Sequence, residues 1–216
     1  PVQDLAKMTN TIAQTAVGLE RIQTILSADD VIPEKPDARP PPKFQGEVAF
    51  EHVAFSYDKD TPVLKDVSFS VKRGQVVGVV GGTGSGKSTI VSLIPRFYDP
   101  TAGRVLIDGT DVRDIPLPAL RAAIGFVAQE PFLFSETLGA NIAFGVRTAT
   151  GAEATGGPAV AAAAGIARLD TDVQGFPHGY DTLVGERGIT LSGGQKQRTA
   201  LARALATDPR ILVLDD

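Results

Sequence analysis

The sequence predicts an α/β fold in which a parallel sheet lies beside an antiparallel β-subdomain. Residues 75–80, QVVGVV, form a continuous apolar run that precedes a helical stretch, which is typical of a buried parallel strand. Apolar residues alternate within residues 46–57 and again within residues 67–71, which indicates half-buried strands of an antiparallel sheet. Strands of both kinds, with helical segments between and after them, are typical of a mixed architecture.

Length and composition limit the class of protein. The chain has 216 residues, enough for one sizeable domain with an appended helix. Its formal net charge of -4 and its pI of about 5.2 argue against a nucleic-acid partner, which would need clustered Lys and Arg. The absence of cysteine excludes a disulfide framework and a thiolate metal site. No apolar run approaches the roughly 18 residues of a membrane-spanning helix, so we expect no direct membrane span in this chain.

The beginning of the chain predicts a helix over residues 1–30 and a semi-rigid, proline-rich linker over residues 31–43. The globular domain is then expected over residues 44–216. The apolar stripe of the helix packs either on this domain or on a partner outside the chain, and the pattern leaves both open. The stripe consists of Val2, Leu5, Met8, Ile12, Ala16, Leu19, Ile22 and Leu26.

The remaining elements follow from local patterns. RVLIDGTDV predicts a strand with a turn at Asp108-Gly109, and residues 124–128 predict another short buried strand. Residues 135–144 and 158–168 are expected to be helical, with a mobile loop in the Gly, Ala and Thr-rich stretch between them. A helix from about Ser192 to Thr207 and a final strand, ILVLDD, complete the prediction.

Residues 81–89, GGTGSGKST, match the pattern G-x-x-x-x-G-K-[ST] between a predicted strand and a predicted helix. Glycines allow the backbone amides to surround phosphate groups, Lys87 can reach the β- and γ-phosphates, and the Ser88 hydroxyl can bind Mg²⁺. The motif therefore predicts a P-loop NTPase core. Its nucleotide-binding residues would be Gly81, Gly82, Thr83, Gly84, Ser85, Gly86, Lys87, Ser88 and Thr89.

Two further motifs lie near the end of the chain. A P-loop needs a second carboxylate on the magnesium side, at the end of a neighbouring apolar strand, and ILVLDD supplies Asp215. LSGGQ, residues 191–195, begins the last predicted helix and places Ser192 at its N-cap. Taken alone this is a helix cap, but its glycines would also give an anion close access to the helix start. The residues concerned are Ser192, Gly193, Gly194 and Gln195.

GGTGSGKST, LSGGQKQRTALARAL and ILVLDD, in this order, resemble the nucleotide-binding domain of ATP-binding cassette (ABC) transporters. The resemblance covers nearly the whole chain, and GYDTLVGERG is similar to a stretch found in exporters. It implies that Tyr57 stacks on adenine and that Gln129 contacts Mg²⁺ and the attacking water. The LSGGQ residues, which we call the signature, would lie on an α-helical subdomain of about residues 131–205 and contact ATP held by a partner domain.

The resemblance also implies partners and a location. ATP and Mg²⁺ would be bound, and the full-length parent would be a transport-coupled ATPase at the cytoplasmic face of the cell membrane. The partners would be the transmembrane domain of the same transporter and a second nucleotide-binding domain, identical or different. VGLERIQTIL resembles the cytosolic end of the last transmembrane helix of an exporter. We therefore expect a chain truncated at both ends, with little or no turnover by itself.

Asp216 departs from the family pattern, which usually has a glutamate as the catalytic base at this position. Aspartate is one methylene shorter, which withdraws the carboxylate by roughly 1.5 Å and predicts slow turnover or a structural ATP site. Asp216, Gln129 and Lys87 form the predicted catalytic set. Two alternatives stay open: a soluble ABC ATPase without a transport role, and an ATP-dependent dimerisation module with a degenerate catalytic site.

Overall fold

The computed structural model describes residues 14–23, 26–27, 32–41, 43–58, 61–146, 157–185 and 189–215. The chain divides into two units, one ending at Pro33 and the other beginning at Glu34. In the first unit residues 14–23 form helix α1, whose Val17, Leu19 and Ile22 side chains are more than half exposed. Residues 1–13 of the predicted helix lie outside the described residues.

The second unit contains a four-stranded antiparallel sheet in the order β2-β1-β3-β4. Its strands are β1 (Val48–Ser56), β2 (Pro62–Val71), β3 (Ala102–Ile107) and β4 (Thr110–Asp111). The turn between the last two strands contains Asp108 and Gly109, both at positive φ, as the sequence predicts. This sheet is the predicted antiparallel β-subdomain.

A register shift inside β1 explains why its apolar alternation changes phase. Val48 and Phe50 are buried before the shift, and Val53 and Phe55 are buried after it. Between them His52 adopts a positive φ of 49°, which returns the later side chains to the same face. A Cβ on Gly103 of β3 would lie 2.2 Å from the His52 carbonyl oxygen, so only glycine fits opposite this bulge.

The approach to β1 is held in place by side-chain hydrogen bonds. The carboxylate of Asp108 accepts from the amides of Gln45, Gly46 and Glu47, at 2.8, 3.1 and 2.9 Å. Upstream, Glu34 accepts a hydrogen bond from the amide of Leu117. Two points of the chain, one within the proline-rich segment and one just before β1, are therefore anchored on this unit.

The parallel sheet consists of two described strands, β5 (Ile124–Val127) and β6 (Ile211–Leu214). Val127 lies opposite Leu214, and the amide of Asp215 extends the ladder by donating to the Val127 carbonyl at 2.9 Å. Both strands were predicted from their apolar runs. The observed combination of antiparallel and parallel sheets with helices confirms the α/β fold class.

The predicted buried strand at residues 75–80 is wrong. This segment is irregular, and its Val76 and Val80 side chains are 100% and 96% exposed. Apolar residues favour a strand only where a neighbouring strand satisfies the backbone groups. Among the described strands, β6 pairs with β5 alone, and none pairs with residues 75–80.

Seven α-helical segments are present in the described residues, including α1, and none is both long and apolar enough to span a membrane. The predicted helices at residues 135–144 and 158–168 are observed in shorter form, while residues 147–156 of the loop lie outside the described part. The six helices of the second unit are α2 (Lys87–Leu93), α3 (Leu117–Ala122), α4 (Leu138–Ala143), α5 (Pro158–Ile166), α6 (Asp170–Gln174) and α7 (Gly193–Ala206).

Apolar side chains form two main cores. In the first, Phe50, Val105 and Ile107 of the antiparallel sheet pack with Leu93 of α2 and Val213 of β6. The second joins helices α4, α5, α6 and α7. Ala200 and Ala204 of α7 also pack on Val127, and a Cβ on Gly125 would lie 2.9 Å from the Ala204 carbonyl. Helix α7 therefore links the helical core to the parallel sheet. The buried members of the helical core are Leu138, Ile142, Val160, Ala163, Ala164, Ala167, Leu169, Val173, Val184, Leu191 and Ala202.

Candidate functional site

Two of the predicted site residues meet where α2 begins and β6 ends. The hydroxyl of Ser88, in the first turn of α2, donates a hydrogen bond of 2.9 Å to Oδ1 of Asp215. Asp215 follows the last residue of β6, and its amide is fixed by the bond to Val127. The fold therefore brings together two of the three side chains predicted to contact magnesium, Gln129 being the third.

This pair of oxygens fits Mg²⁺. The ion prefers an octahedron of oxygen ligands at about 2.0–2.1 Å, of which the protein commonly supplies one or two. Adjacent corners of such an octahedron are about 2.9 Å apart. The observed Ser88–Asp215 separation of 2.9 Å has this value, so the two oxygens could occupy neighbouring ligand positions with little movement.

The glycine-rich turn before α2 is closed by the side chain of Lys87. The Lys87 ammonium group donates to the carbonyl oxygens of Gly81 and Gly82, each at 2.9 Å. Gly84 and Gly86 adopt φ values of 78° and 91°, which L side chains rarely adopt. The turn thus favours glycine at these two positions, and it holds the Lys87 ammonium group against the carbonyls of Gly81 and Gly82.

Tyr57 lies beside the P-loop helix. Its hydroxyl is 3.1 Å from the Thr89 hydroxyl, and its ring packs edge-on against Phe55 and Tyr98. The residue is nevertheless 58% exposed. The aromatic ring is therefore held near the P-loop with accessible surface, while its contact with adenine stays a prediction.

Gln129 lies two residues after β5 and is exposed. Because β5 and β6 are parallel, with Val127 opposite Leu214, Gln129 and Asp215 lie at the same carboxyl edge of the sheet. Ligands of α/β sheets bind at such edges. Asp216 lies outside the described residues, so its catalytic role stays a prediction.

The signature forms the start of α7. Ser192 is the N-cap residue, as predicted: its hydroxyl accepts from the Gln195 amide at 3.3 Å. In return Gln195 Oε1 accepts from the Ser192 amide at 2.9 Å, which completes a capping box. Gly193 and Gly194 are exposed. No hydrogen bond among the described residues joins the signature to the P-loop, so the two motifs are not linked directly.

Sequence reasoning missed two polar clusters that involve side chains of α7. Arg203 of α7 donates to the carbonyl and side-chain oxygens of Asn141 and to the carbonyl of Phe132, at 2.7 to 2.9 Å. Burial lowers the pKa of this guanidinium. In the second cluster, Asp172 of α6 binds Gln195 and Arg198. The residues that Arg203 and Asp172 contact lie far from them in the sequence and form no local motif, so the sequence offers no signal for these contacts.

Comparison with known proteins supports the nucleotide-site interpretation. The family model described as ABC transporter matches residues 64–216. The chain belongs to the ABC transporter family. The resemblance inferred from the motifs is therefore confirmed, and members of the ABC transporter family are in general ATPases.

Proteins similar to this chain carry flippase, efflux and exporter names. The chain is 41% identical over 216 residues to the ATP-dependent lipid A-core flippase of Syntrophus aciditrophicus. It is 45% identical over 221 residues to the multidrug efflux ATP-binding/permease protein of Mycobacterium tuberculosis. A solved structure of a bacterial Atm1-family ABC exporter with ATP bound matches with a TM-score of 0.81 and 40% identity.

Each of these matches covers 100% of the chain but only part of the relative. The chain spans 35% of the flippase, 18% of the efflux protein and 37% of the Atm1-family exporter. The chain therefore resembles one part of larger exporter-type proteins.

Proposed function

We propose that this chain binds Mg-ATP at the P-loop. The observation that carries the proposal is the 2.9 Å contact between Ser88 and Asp215, which joins two of the three predicted magnesium ligands. Lys87 would exchange its bonds to Gly81 and Gly82 for phosphate oxygens, and Tyr57 would stack on the base. Bound Mg²⁺ would neutralise negative charge on the phosphates.

The signature would contact ATP held by a second nucleotide-binding domain, either another copy or a different chain. The exposed Gly193 and Gly194, which begin a 14-residue helix, support this, because no hydrogen bond among the described residues joins them to the P-loop of the same chain. The N-terminal end of a helix favours an anion. ATP bound between two domains would stabilise their association, since a ligand stabilises the state that binds it.

Within a full-length exporter the domain would couple this association to transport. The names of the relatives support the exporter role, and the exposed apolar residues of α1 support contact with a transmembrane domain. The location would be the cytoplasmic face of the cell membrane. Bound ATP would favour the paired state, and loss of ATP would favour the separated state. The transmembrane helices attached to the domain would then move between two arrangements. The cargo class is set by parts of the transporter outside this chain.

A second candidate function is ATP-dependent dimerisation with slow turnover. Asp216 favours it, because its carboxylate is one methylene shorter than that of the usual glutamate. A displacement of about 1 Å can lower a rate on the order of a hundredfold. In the full-length transporter, Asp216→Glu should increase phosphate release, and an unchanged rate would contradict a catalytic limitation at this position.

Mg-ATP binding can be measured on the chain by isothermal titration calorimetry. Lys87→Ala should weaken binding by about a hundredfold, since it removes a charged contact to the phosphates. Lys65→Ala, which removes an exposed lysine of β2, is the matched control and should leave the dissociation constant unchanged. Equal binding by Lys87→Ala and the wild-type chain would refute the P-loop assignment.

A further inference from the structure

Asp172 of α6 lies against the start of α7, where the signature is located. Its side chain is 19% exposed. Oδ1 accepts a hydrogen bond from Gln195 Nε2 at 3.3 Å, and Oδ2 accepts from Arg198 Nε at 2.8 Å. A second nitrogen of the same guanidinium, Nη2, is 2.7 Å from Oδ2. One carboxylate therefore holds two side chains of the signature helix.

The bond to Asp172 fixes the direction of the Gln195 amide. Because Nε2 is directed at the carboxylate, Oε1 remains to accept from the Ser192 amide and complete the capping box. If the Gln195 side-chain amide were flipped, Oε1 would face the Asp172 carboxylate, and two acceptors would meet with no hydrogen between them. The flip would also remove the hydrogen bond from the Ser192 amide. Asp172 thus supports the conformation in which the Ser192 hydroxyl caps the helix.

The same carboxylate sets the direction of Arg198. With Nε and Nη2 bound to Asp172, the remaining nitrogen Nη1 faces Gly194: a Cβ built on this glycine would lie 3.3 Å from Nη1. A positive charge is thereby held beside the signature backbone at the N-terminal end of α7. Planar guanidinium groups suit phosphate oxygens, particularly when a carboxylate restricts their orientation.

We propose that Asp172 is a positioning residue for the triphosphate contact of the signature. It holds Gln195 in the capping box and directs Arg198 towards Gly194. A nucleoside triphosphate bound to a second copy then meets the backbone amides at the start of the signature helix together with the Arg198 guanidinium. This inference rests on the proposed function, in which the signature contacts ATP of a second domain. Loss of Asp172 changes the nucleotide concentration needed for pairing and leaves P-loop binding intact, because among the described residues Asp172 has no hydrogen bond to the P-loop.

Pairing can be followed by fluorescence energy transfer, since the chain contains no cysteine and Lys65→Cys on β2 introduces one labelling site. Donor-labelled and acceptor-labelled chains are mixed and titrated with Mg²⁺ and ATPγS, a slowly hydrolysed nucleoside triphosphate. Asp172→Asn keeps the shape of the side chain but removes its charge. It should raise the half-maximal nucleotide concentration about fivefold to tenfold. The matched control, Asp170→Asn on the same helix, should leave it unchanged.

Three further measurements separate positioning from a general structural role. Nucleotide affinity of the dilute, unpaired Asp172→Asn chain should stay within about twofold of the wild-type value. Asp172→Glu, which restores the charge, should recover part of the pairing affinity. Arg198→Lys retains the positive charge but loses the guanidinium group with its two nitrogens that contact Asp172. It should shift the half-maximal concentration in the same direction as Asp172→Asn.

The inference is overturned if Asp172→Asn lowers the unfolding temperature without changing the half-maximal concentration. It is also overturned if the Asn and Glu variants pair equally weakly. Failure of the proposed function has a different outcome: the wild-type chain does not pair, or Lys87→Ala binds nucleotide normally. Either result removes the basis of both proposals, whereas normal pairing by Asp172→Asn contradicts the positioning role alone.

Discussion

The hydroxyl of Ser88 lies 2.9 Å from the carboxylate of Asp215, although one belongs to α2 and the other follows β6. The contact ties the first turn of a helix to the carboxyl edge of the parallel sheet. Both groups are hard oxygen donors, and their separation matches neighbouring corners of a magnesium octahedron. The contact therefore places the P-loop next to the sheet edge, as the proposed Mg-ATP site requires.

Ser88→Ala should abolish the effect of Mg²⁺ on ATP affinity. In the presence of Mg²⁺ the variant should bind ATP about tenfold more weakly than the wild-type chain, because one metal ligand is lost. In EDTA the two proteins should bind equally. Ser92→Ala is the matched control: its hydroxyl donates to the Ser88 carbonyl on the same helix, 2.7 Å away, and its removal should preserve the magnesium response. A normal magnesium response in Ser88→Ala would show that Ser88 is not a ligand.

Gly86→Ala should destabilise the chain. Gly86 has a φ of 91°, and an added Cβ would lie 2.8 Å from Leu64 Cδ2. The strained backbone and the clash should lower the free energy of unfolding by about 1–3 kcal/mol, measured by urea denaturation. Gly165→Ala provides the contrast: this α5 glycine has open space around it, so alanine should stabilise the helix by about 0.5–1 kcal/mol. An unchanged urea midpoint for Gly86→Ala would contradict the steric argument.

Arg203→Met should destabilise the helical core while keeping much of the side-chain volume. The variant loses the hydrogen bonds to Asn141 and Phe132 and leaves their oxygens without this donor. The expected loss in the free energy of unfolding is about 2–4 kcal/mol. Lys196→Met, at an exposed position of the same helix, should change stability by less than about 0.5 kcal/mol. Equal losses in the two variants would refute the role assigned to the Arg203 hydrogen bonds.

The Asp111–Arg113 pair should make stability depend on acid pH. Burial alone would raise the pKa of Asp111, but the hydrogen bonds and positive charge of Arg113 outweigh it and lower this pKa below its ordinary value of 3.8. The stabilising contribution is therefore present above pH 3.8 and is lost as the pH falls through the lower pKa of the folded state.

Asp111→Asn should consequently lower the urea midpoint at pH 7, corresponding to about 1–3 kcal/mol. The difference from the wild-type chain should shrink only below about pH 4. Asp114→Asn is the control, because Asp114 is about half exposed in its ion pair with Lys35 and should contribute less than about 1 kcal/mol. A difference between Asp111→Asn and wild type that is constant from pH 7 to pH 3 would show that the Asp111 charge is not responsible.

Local patterns predicted most elements of the second unit. The strands β5 and β6 followed from short apolar runs, and the cap of α7 followed from Ser192 before two glycines. The P-loop assignment also came from local sequence, because Lys87, Ser88 and their glycines are adjacent in the chain, and its chemistry stays a prediction. Asp215 was predicted because a P-loop requires such a carboxylate at the end of a nearby strand.

Other features depend on neighbours that a local pattern does not contain. Residues 75–80 have a strand-like composition, but hydrogen bonding to another strand decides whether they form one. The contacts of Asp172 with Arg198 and of Asn141 with Arg203 join residues 26 and 62 positions apart. Such pairs depend on how α4 and α6 pack on α7, which the sequence of each helix alone does not determine.

The exposed valines of residues 75–80 have a practical consequence for handling the protein. Val76 and Val80 are almost completely accessible to solvent in a segment rich in β-branched residues. Unpaired segments of this composition readily form β-strand pairs between molecules, and such aggregation increases with protein concentration. Preparations should therefore stay monodisperse longest when dilute, and substituting lysine for Val76 should extend their shelf life.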